Sequence, residues 1–139
     1  MATNTQFSIA VHLMMALGLN CGKEVTSAQM AMSVNTSPSF IRRILAKLSK
    51  ANLVTATTGK SGFSSLAKSP DEISLLEIYK AVDAPKTFAI HTYPAQQSCE
   101  VSCNIESVMQ KILDRAQNSF EATLGETTLA EVMAEIRKN

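Results

Sequence analysis

Four cations fall within nine residues of one stretch, SPSFIRRILAKLSK: Arg42, Arg43, Lys47 and Lys50. A guanidinium fork can grip guanine O6 and N7 and an ammonium group neutralises phosphate, so this set suits docking on nucleic acid rather than bond making. The second reactive set is the thiol pair Cys99 and Cys103 in the run C-E-V-S-C. Two thiols so placed can oxidise to one another, pack as inert side chains, or join His91 in a zinc site that still wants a fourth ligand. An enzyme built on them would be a small thiol oxidoreductase, but C-x-x-C is absent and no βαβ pattern surrounds them. A Gly-rich nucleotide loop, a nucleophile elbow and a metal-protease helix are absent too, so binding is expected and catalysis is not.

The elements that carry the cations are set by caps and spacing. Ser37 is suited to an N-cap and Pro38 to the first helical turn, where a missing N–H costs nothing. Phe40, Ile41, Ile44, Leu45 and Leu48 then recur at three- and four-residue spacing, leaving Ser39, Arg42, Arg43, Lys47 and Lys50 mostly on other faces. A solvated surface helix would show the same pattern. The neighbouring segments decide for a recognition helix: a short helix comes before and a basic hairpin after, in the order helix, turn, helix, wing.

The short helix is capped by Thr26, with Gln29 at the capping-box position, and Ala28, Met30, Ala31 and Val34 form its buried side. Asn35 and Thr36 make the turn. Upstream, 6–19 reads as the first helix, opened by a Thr3–Gln6 capping box and ended with help from Gly18 and Gly22; His12 within it is read as a structural or surface histidine rather than a ligand. Downstream, Leu53, Val54, Thr55 and Thr57 and then Phe63 to Leu66 have strand composition around the turn Gly59-Lys60-Ser61-Gly62. Lys60 at its tip distinguishes a wing from a plain hairpin.

Ser74 and Glu77 form another capping box for a packing helix through Val82, and 83–104 reads as a long connection. From Ile105 to Leu124 the residues Ile105, Val108, Met109, Ile112, Leu113, Ala116 and Phe120 repeat at helical spacing over about 30 Å. That stripe outreaches a small winged domain and is expected to meet its copy in a two-fold dimer. Thr128 and Glu131 open a last short helix expected to clasp the long one. The expected organisation is thus mainly α: a winged helix-turn-helix with a two-stranded β wing over 1–83, a loop with the cysteines over 84–104, and a dimerisation helix with a short terminal helix over 105–139.

The 139-residue chain has a net charge of +1, which conceals an uneven distribution. Residues 1–70 hold seven Lys/Arg against Glu24 alone, a balance of +6, whereas 71–139 hold six against eleven Asp/Glu, a balance of −5. The front half suits a polyanion. An anionic membrane would also fit, but no basic amphipathic helix of the membrane-surface type is present, and the N-terminal apolar run is interrupted by His12 and lacks a basic leader. Three cysteines, Cys21, Cys99 and Cys103, without an export signal favour the cytoplasm over a disulfide framework.

With these stretches in place, FSIAVHLMMAL, SPSFIRRILAKLSKANLV, GKSGFSSLAKSPDEISLLEIYKAV and the cysteine loop leading to a long helix and TTLAEV, the chain resembles the Rrf2 family. These are bacterial winged-helix transcription regulators of the IscR, NsrR and CymR type. The resemblance runs over nearly the whole chain. It implies a homodimer on a pseudo-palindromic duplex DNA operator, acting as a repressor, with recognition helices in successive major grooves and wings in the flanking minor grooves. It carries over Ser37, Ser39, Arg42, Arg43 and Lys47 as helix contacts, Thr26, Ser27 and Gln29 as phosphate contacts, and Lys60 and Ser61 as wing contacts. Phe63 stands where the family's G-x-x-G-G wing has the second glycine of its closing pair.

Within that division of labour, Lys47, Lys50 and Lys60 are expected to give salt-dependent affinity, and Arg42 or Arg43 to read guanine; spacing alone does not say which. Several relatives hold an iron–sulfur cluster on three clustered cysteines, whereas Cys21 lies far from the C-E-V-S-C pair. The resemblance is closer to cluster-free members with a C-x-V-x-C-N-I run, so no resident cofactor is expected, and a metal- or cluster-sensing regulator is the alternative. Cys103 is expected just before a helix N-terminus, which favours thiolate, with Glu100 and Glu106 opposing it. A thiol switch on Cys99 and Cys103 is the leading sensor expectation.

Overall fold

A computed structural model describes residues 4–19, 25–56, 64–86 and 88–138. They form six α-helices, a 3-10 turn and a two-stranded sheet in the order α1 (Gln6–Leu19), α2 (Ser27–Val34), α3 (Pro38–Lys50), β1 (Val54–Ala56), β2 (Ser64–Leu66), the turn Pro70–Glu72, α4 (Leu75–Ala81), α5 (Glu100–Glu126) and α6 (Leu129–Lys138). The mainly helical winged architecture agrees with the expectation. The chain divides into two compact units, Met1–Ala84 with Leu124–Asn139, and Pro85–Thr123.

The first unit is closed by local signals that agree with its packing. Thr26 and Gln29 exchange both capping bonds: Gln29 N–H donates to Thr26 Oγ1 at 3.2 Å, and Thr26 N–H to Gln29 Oε1 at 2.9 Å. The helix stops at Asn35, whose φ of 70° is left-handed and lets the N–H groups of Asn35 and Thr36 both reach the Ala31 carbonyl. Ser74 and Glu77 repeat the reciprocal cap at α4. Thr3 lies outside the described residues; the first turn of α1 is served by Asn4 Oδ1, which accepts from Gln6 N–H at 2.9 Å.

Leu13, Met14, Met30, Ile41, Ile44, Leu48, Leu53, Ile73, Ile78 and Leu129 are wholly enclosed and form one core. Burial of such side chains outweighs the polar ties: each contributes about 1.5–3 kcal/mol, whereas a half-exposed ion pair such as Lys68–Glu77, 3.2 Å apart, adds about 0–1 kcal/mol. β1 and β2 pair antiparallel with Val54 opposite Leu66. Ser64 N–H also donates to the Val25 carbonyl at 3.0 Å, tying the wing base to the entry of α2. Thr57, Gly59 to Gly62, Phe63 and Cys21 lie outside the described residues.

Four expectations are corrected. Gly18 does not end α1: it is buried inside the helix, where its missing side chain admits Met133 of α6. Ala28 is exposed, because the short α2 turns a narrower stripe inward. The last helix packs on α1 and the 3-10 turn rather than clasping the long helix, and its start is anchored by Leu75 N–H to the Thr127 carbonyl at 2.9 Å and Leu129 N–H to the Ile73 carbonyl at 2.8 Å. It therefore belongs with the winged unit. The long helix begins at Glu100 rather than Ile105, so the connection is shorter and Cys103 lies inside the helix.

In the second unit, Gln117 is buried among the described residues, and Pro85, Phe88 and Ile90 line a cleft of about 390 Å³ with Leu113 and Gln117 of α5. Val101 is 67% exposed, Val108 51% and Ile112 48%. No helix among the described residues is long and apolar enough to cross a membrane.

The close approach at Gly18 can be tested by size. A β-carbon there would lie 2.9 Å from Met133 Sδ, which is the movable end of a flexible chain. Gly18→Ala is expected to unfold in urea near the wild-type midpoint, helix propensity offsetting the displaced methionine, and Gly18→Val to lose about 1–3 kcal/mol. Equal midpoints for the two variants would contradict this packing.

Candidate nucleic-acid interface

The orientation of α3 follows from its apolar seam. Ile41, Ile44, Leu45 and Leu48 are buried, and Arg42, Arg43, Lys50, Ser37 and Ser39 are exposed. The helix has no freedom to turn these cations inward without exposing four core residues. Its start is held by Ser37 Oγ, which accepts from Phe40 N–H at 3.3 Å, with Pro38 in the first turn. The α2–turn–α3 unit so formed is a helix-turn-helix with the second helix facing outward.

The expected contact residues fall into separate groups. Thr26 and Ser27 are half-buried and Gln29 is exposed at the start of α2. Because Gln29 uses Oε1 on its own cap, its Nε2 donors remain available at a helix N-terminus, where anions are favoured. Ser37 and Ser39 hydroxyls lie 3.4 Å apart at the start of α3. Arg43 lies with its guanidinium carbon 5.3 Å from the centre of the Phe40 ring, and Arg42 is exposed beside it. Lys47 differs from the others: it is half-buried and donates to Gln6 Oε1 of α1 at 2.9 Å. Lys60 and Ser61 lie outside the described residues.

Spacing gave no signal for the Lys47–Gln6 bond, since forty-one positions separate the two residues. The same holds for His12, whose Nε2 lies 2.8 Å from Ser33 Oγ and links α1 to α2, in keeping with a structural role. Neither bond leaves a mark in local periodicity.

The thiol pair is in the other unit. Cys99 caps α5, its sulfur accepting from Ser102 N–H at 3.4 Å, and Cys103 sits one turn further on. The Cys103 thiol donates towards the carbonyls of Gln96 at 3.4 Å and Gln97 at 3.7 Å. Both cysteines are exposed. Among the described residues no three His, Cys, Asp or Glu side chains converge on a metal-sized site, the set of His91, Cys99 and Cys103 included. His91 instead faces Tyr93, ring centres 6.1 Å apart.

Comparison with known proteins agrees with this geometry. The model of the Rrf2 family, described as an iron-dependent transcriptional regulator, matches residues 3–135. YwnA of Bacillus subtilis, named as an HTH-type transcriptional regulator, is 33% identical over 131 residues, covering 94% of this chain and 96% of its own. A transcriptional regulator from Lactobacillus plantarum superposes with a TM-score of 0.81 at 26% identity, covering 96% of this chain and 90% of that one. CymR, the global cysteine regulator of Bacillus subtilis, has the same fold at a TM-score of 0.68 and 18% identity, covering 97% and 98% of the two chains.

The tie between Lys47 and Gln6 predicts a difference between two lysines of one helix. In DNA titrations at several salt concentrations, Lys50→Met is expected to lower the slope of log affinity against log salt by about 1, and Lys47→Met to leave it unchanged. Equal reductions would mean that Lys47 abandons Gln6 for a phosphate.

Proposed function

Since the chain belongs to the Rrf2 family of DNA-binding transcriptional regulators, we propose that it acts as a homodimeric repressor, reading a pseudo-palindromic operator with paired α3 helices. The family and the named relatives are regulators rather than enzymes. The observation that carries the reading is the split of α3, four apolar residues in the core and Arg42, Arg43 and Lys50 outside, at the end of a helix-turn-helix. Ser37 and Ser39 join the arginines at its base-facing end, and Thr26, Ser27 and Gln29 supply phosphate contacts from the start of α2. Lys60 and Ser61, outside the described residues, join the proposed contacts on the family resemblance. Occupancy of an operator is enough to exclude polymerase, which is the basis of the repressor assignment, and the cytoplasm is where such an operator lies.

Dimerisation is favoured by what the second unit leaves uncovered. Val101, Val108 and Ile112 lie along α5 at four- and seven-residue spacing, largely exposed, with Ile105, Met109, Leu113 and Phe120 half-buried and Ala116 exposed beside them. A stripe of this length in water calls for a partner, and a second copy offers the same stripe across a two-fold axis.

The sensor in this reading is the thiol pair. Peroxide oxidises one thiolate of Cys99 or Cys103 to sulfenic acid, which condenses with the other thiol to a disulfide and releases water. That step removes the Cys99 cap and the Cys103 hydrogen bonds together, disturbing the first turn of α5. Two cysteines that merely pack would leave DNA affinity indifferent to oxidation.

Sedimentation with labelled operator tests the assembly and the switch in one series. The reduced chain is expected to run at twice its monomer mass and bind as one dimer per operator, Ile112→Glu to run as a monomer with affinity at least tenfold weaker, and peroxide to form the Cys99–Cys103 disulfide with changed affinity. A wild-type monomer that binds the full operator would overturn the dimer, and unchanged affinity after oxidation would overturn the switch.

A further inference from the structure

We propose that Arg43, not Arg42, is the base-reading arginine, and that Phe40 is its positioning residue. The assignment rests on the proposed docking of α3 in the major groove and says how that contact is built. Phe40 and Arg43 are three residues apart and share one face of α3. Side chains of a helix lean towards its N-terminus, so Arg43 reaches back over the preceding turn, where its guanidinium carbon stands 5.3 Å from the Phe40 ring centre.

That placement is informative in three ways. The ring itself is held: Phe40 is half-buried against the core, and its N–H is bonded to Ser37 Oγ at 3.3 Å. A cation on a ring face spends none of its N–H donors, so the fork keeps its capacity for guanine O6 and N7 while losing much of its rotamer freedom before DNA arrives. The side chain is also directed to the N-terminal turn of α3, beside the exposed hydroxyls of Ser37 and Ser39, and this is the end of a recognition helix that meets base edges. Arg42 has no such platform among the described residues and is left to neutralise phosphate, where a mobile cation serves as well as a fixed one.

The test uses the full chain and an operator selected from a random duplex pool, titrated against single-base-pair variants over a range of salt, with urea unfolding run in parallel. Arg43→Ala is expected to lose roughly tenfold or more of the discrimination at one base pair. Arg42→Ala weakens all duplexes alike and lowers the salt slope by about 1. Phe40→Leu keeps an apolar body against the core; it loses a few-fold of discrimination at the same base pair as Arg43→Ala, and Phe40→Tyr restores it. In an Arg43→Ala background, Phe40→Leu adds no further loss of discrimination, which a purely structural phenylalanine would not predict. Wild-type discrimination in Phe40→Leu, an equal loss in both backgrounds, or base specificity that follows Arg42 overturns the assignment while the helix-docking reading stands. If the chain selects no sequence, or neither arginine alters binding to any duplex, the docking reading itself falls and takes this assignment with it.

Discussion

The burial of one side of α3 is the constraint on which the rest depends. Ile41, Ile44, Leu45 and Leu48 are packed into the core with α1, α2 and α4, and this packing leaves the helix a single orientation. Replacing such a residue by alanine typically costs about 2–5 kcal/mol, a large part of the stability of a small domain. No surface ion pair or hydrogen bond among the described residues has comparable weight. The direction of Arg42, Arg43 and Lys50 is thus a consequence of apolar packing, and the charge pattern contributes to binding rather than to the fold.

The two units meet the problem of apolar burial differently. The winged unit solves it within one chain: α6 returns from the far end of the sequence, enters beside Gly18 and closes the core with Leu129 and Met133. Residues 85–123 enclose little, a helix with a connection beside it, and Val101, Val108 and Ile112 are largely exposed. The proposed homodimer accounts for this pairing of a basic winged unit with an acidic helix, since two half-sites are read only if two recognition helices are joined.

Much of this was legible in the sequence, and the misses have physical causes. Caps are local, so Thr26 with Gln29, Ser74 with Glu77, and Ser37 before Pro38 could be read directly, and α1 spans the residues that its apolar spacing marks. The start of α5 was missed because Cys99 is an unusual cap and E-V-S-C-N carries a single aliphatic residue, so periodicity first becomes visible at Ile105. The docking of α6 on α1 was missed because it depends on a glycine acting as a notch, whereas glycine near a helix end more often marks a stop. Within the candidate interface, the composition of α3 was legible, but its division between Lys47, tied to Gln6, and the freer cations was not, because hydrogen bonds between distant segments leave no spacing to read.

The measurement that goes most directly to the central claim is the salt dependence of duplex binding by the reduced chain, followed by fluorescence anisotropy between about 50 and 300 mM salt, a range in which a charge-driven complex changes affinity by orders of magnitude. With α3 facing outward as the packing requires, log affinity falls linearly with log salt, by about 0.9 for each phosphate neutralised, and steeply enough to count several phosphates per complex. A flat dependence, or no binding at the lowest salt, would contradict the account.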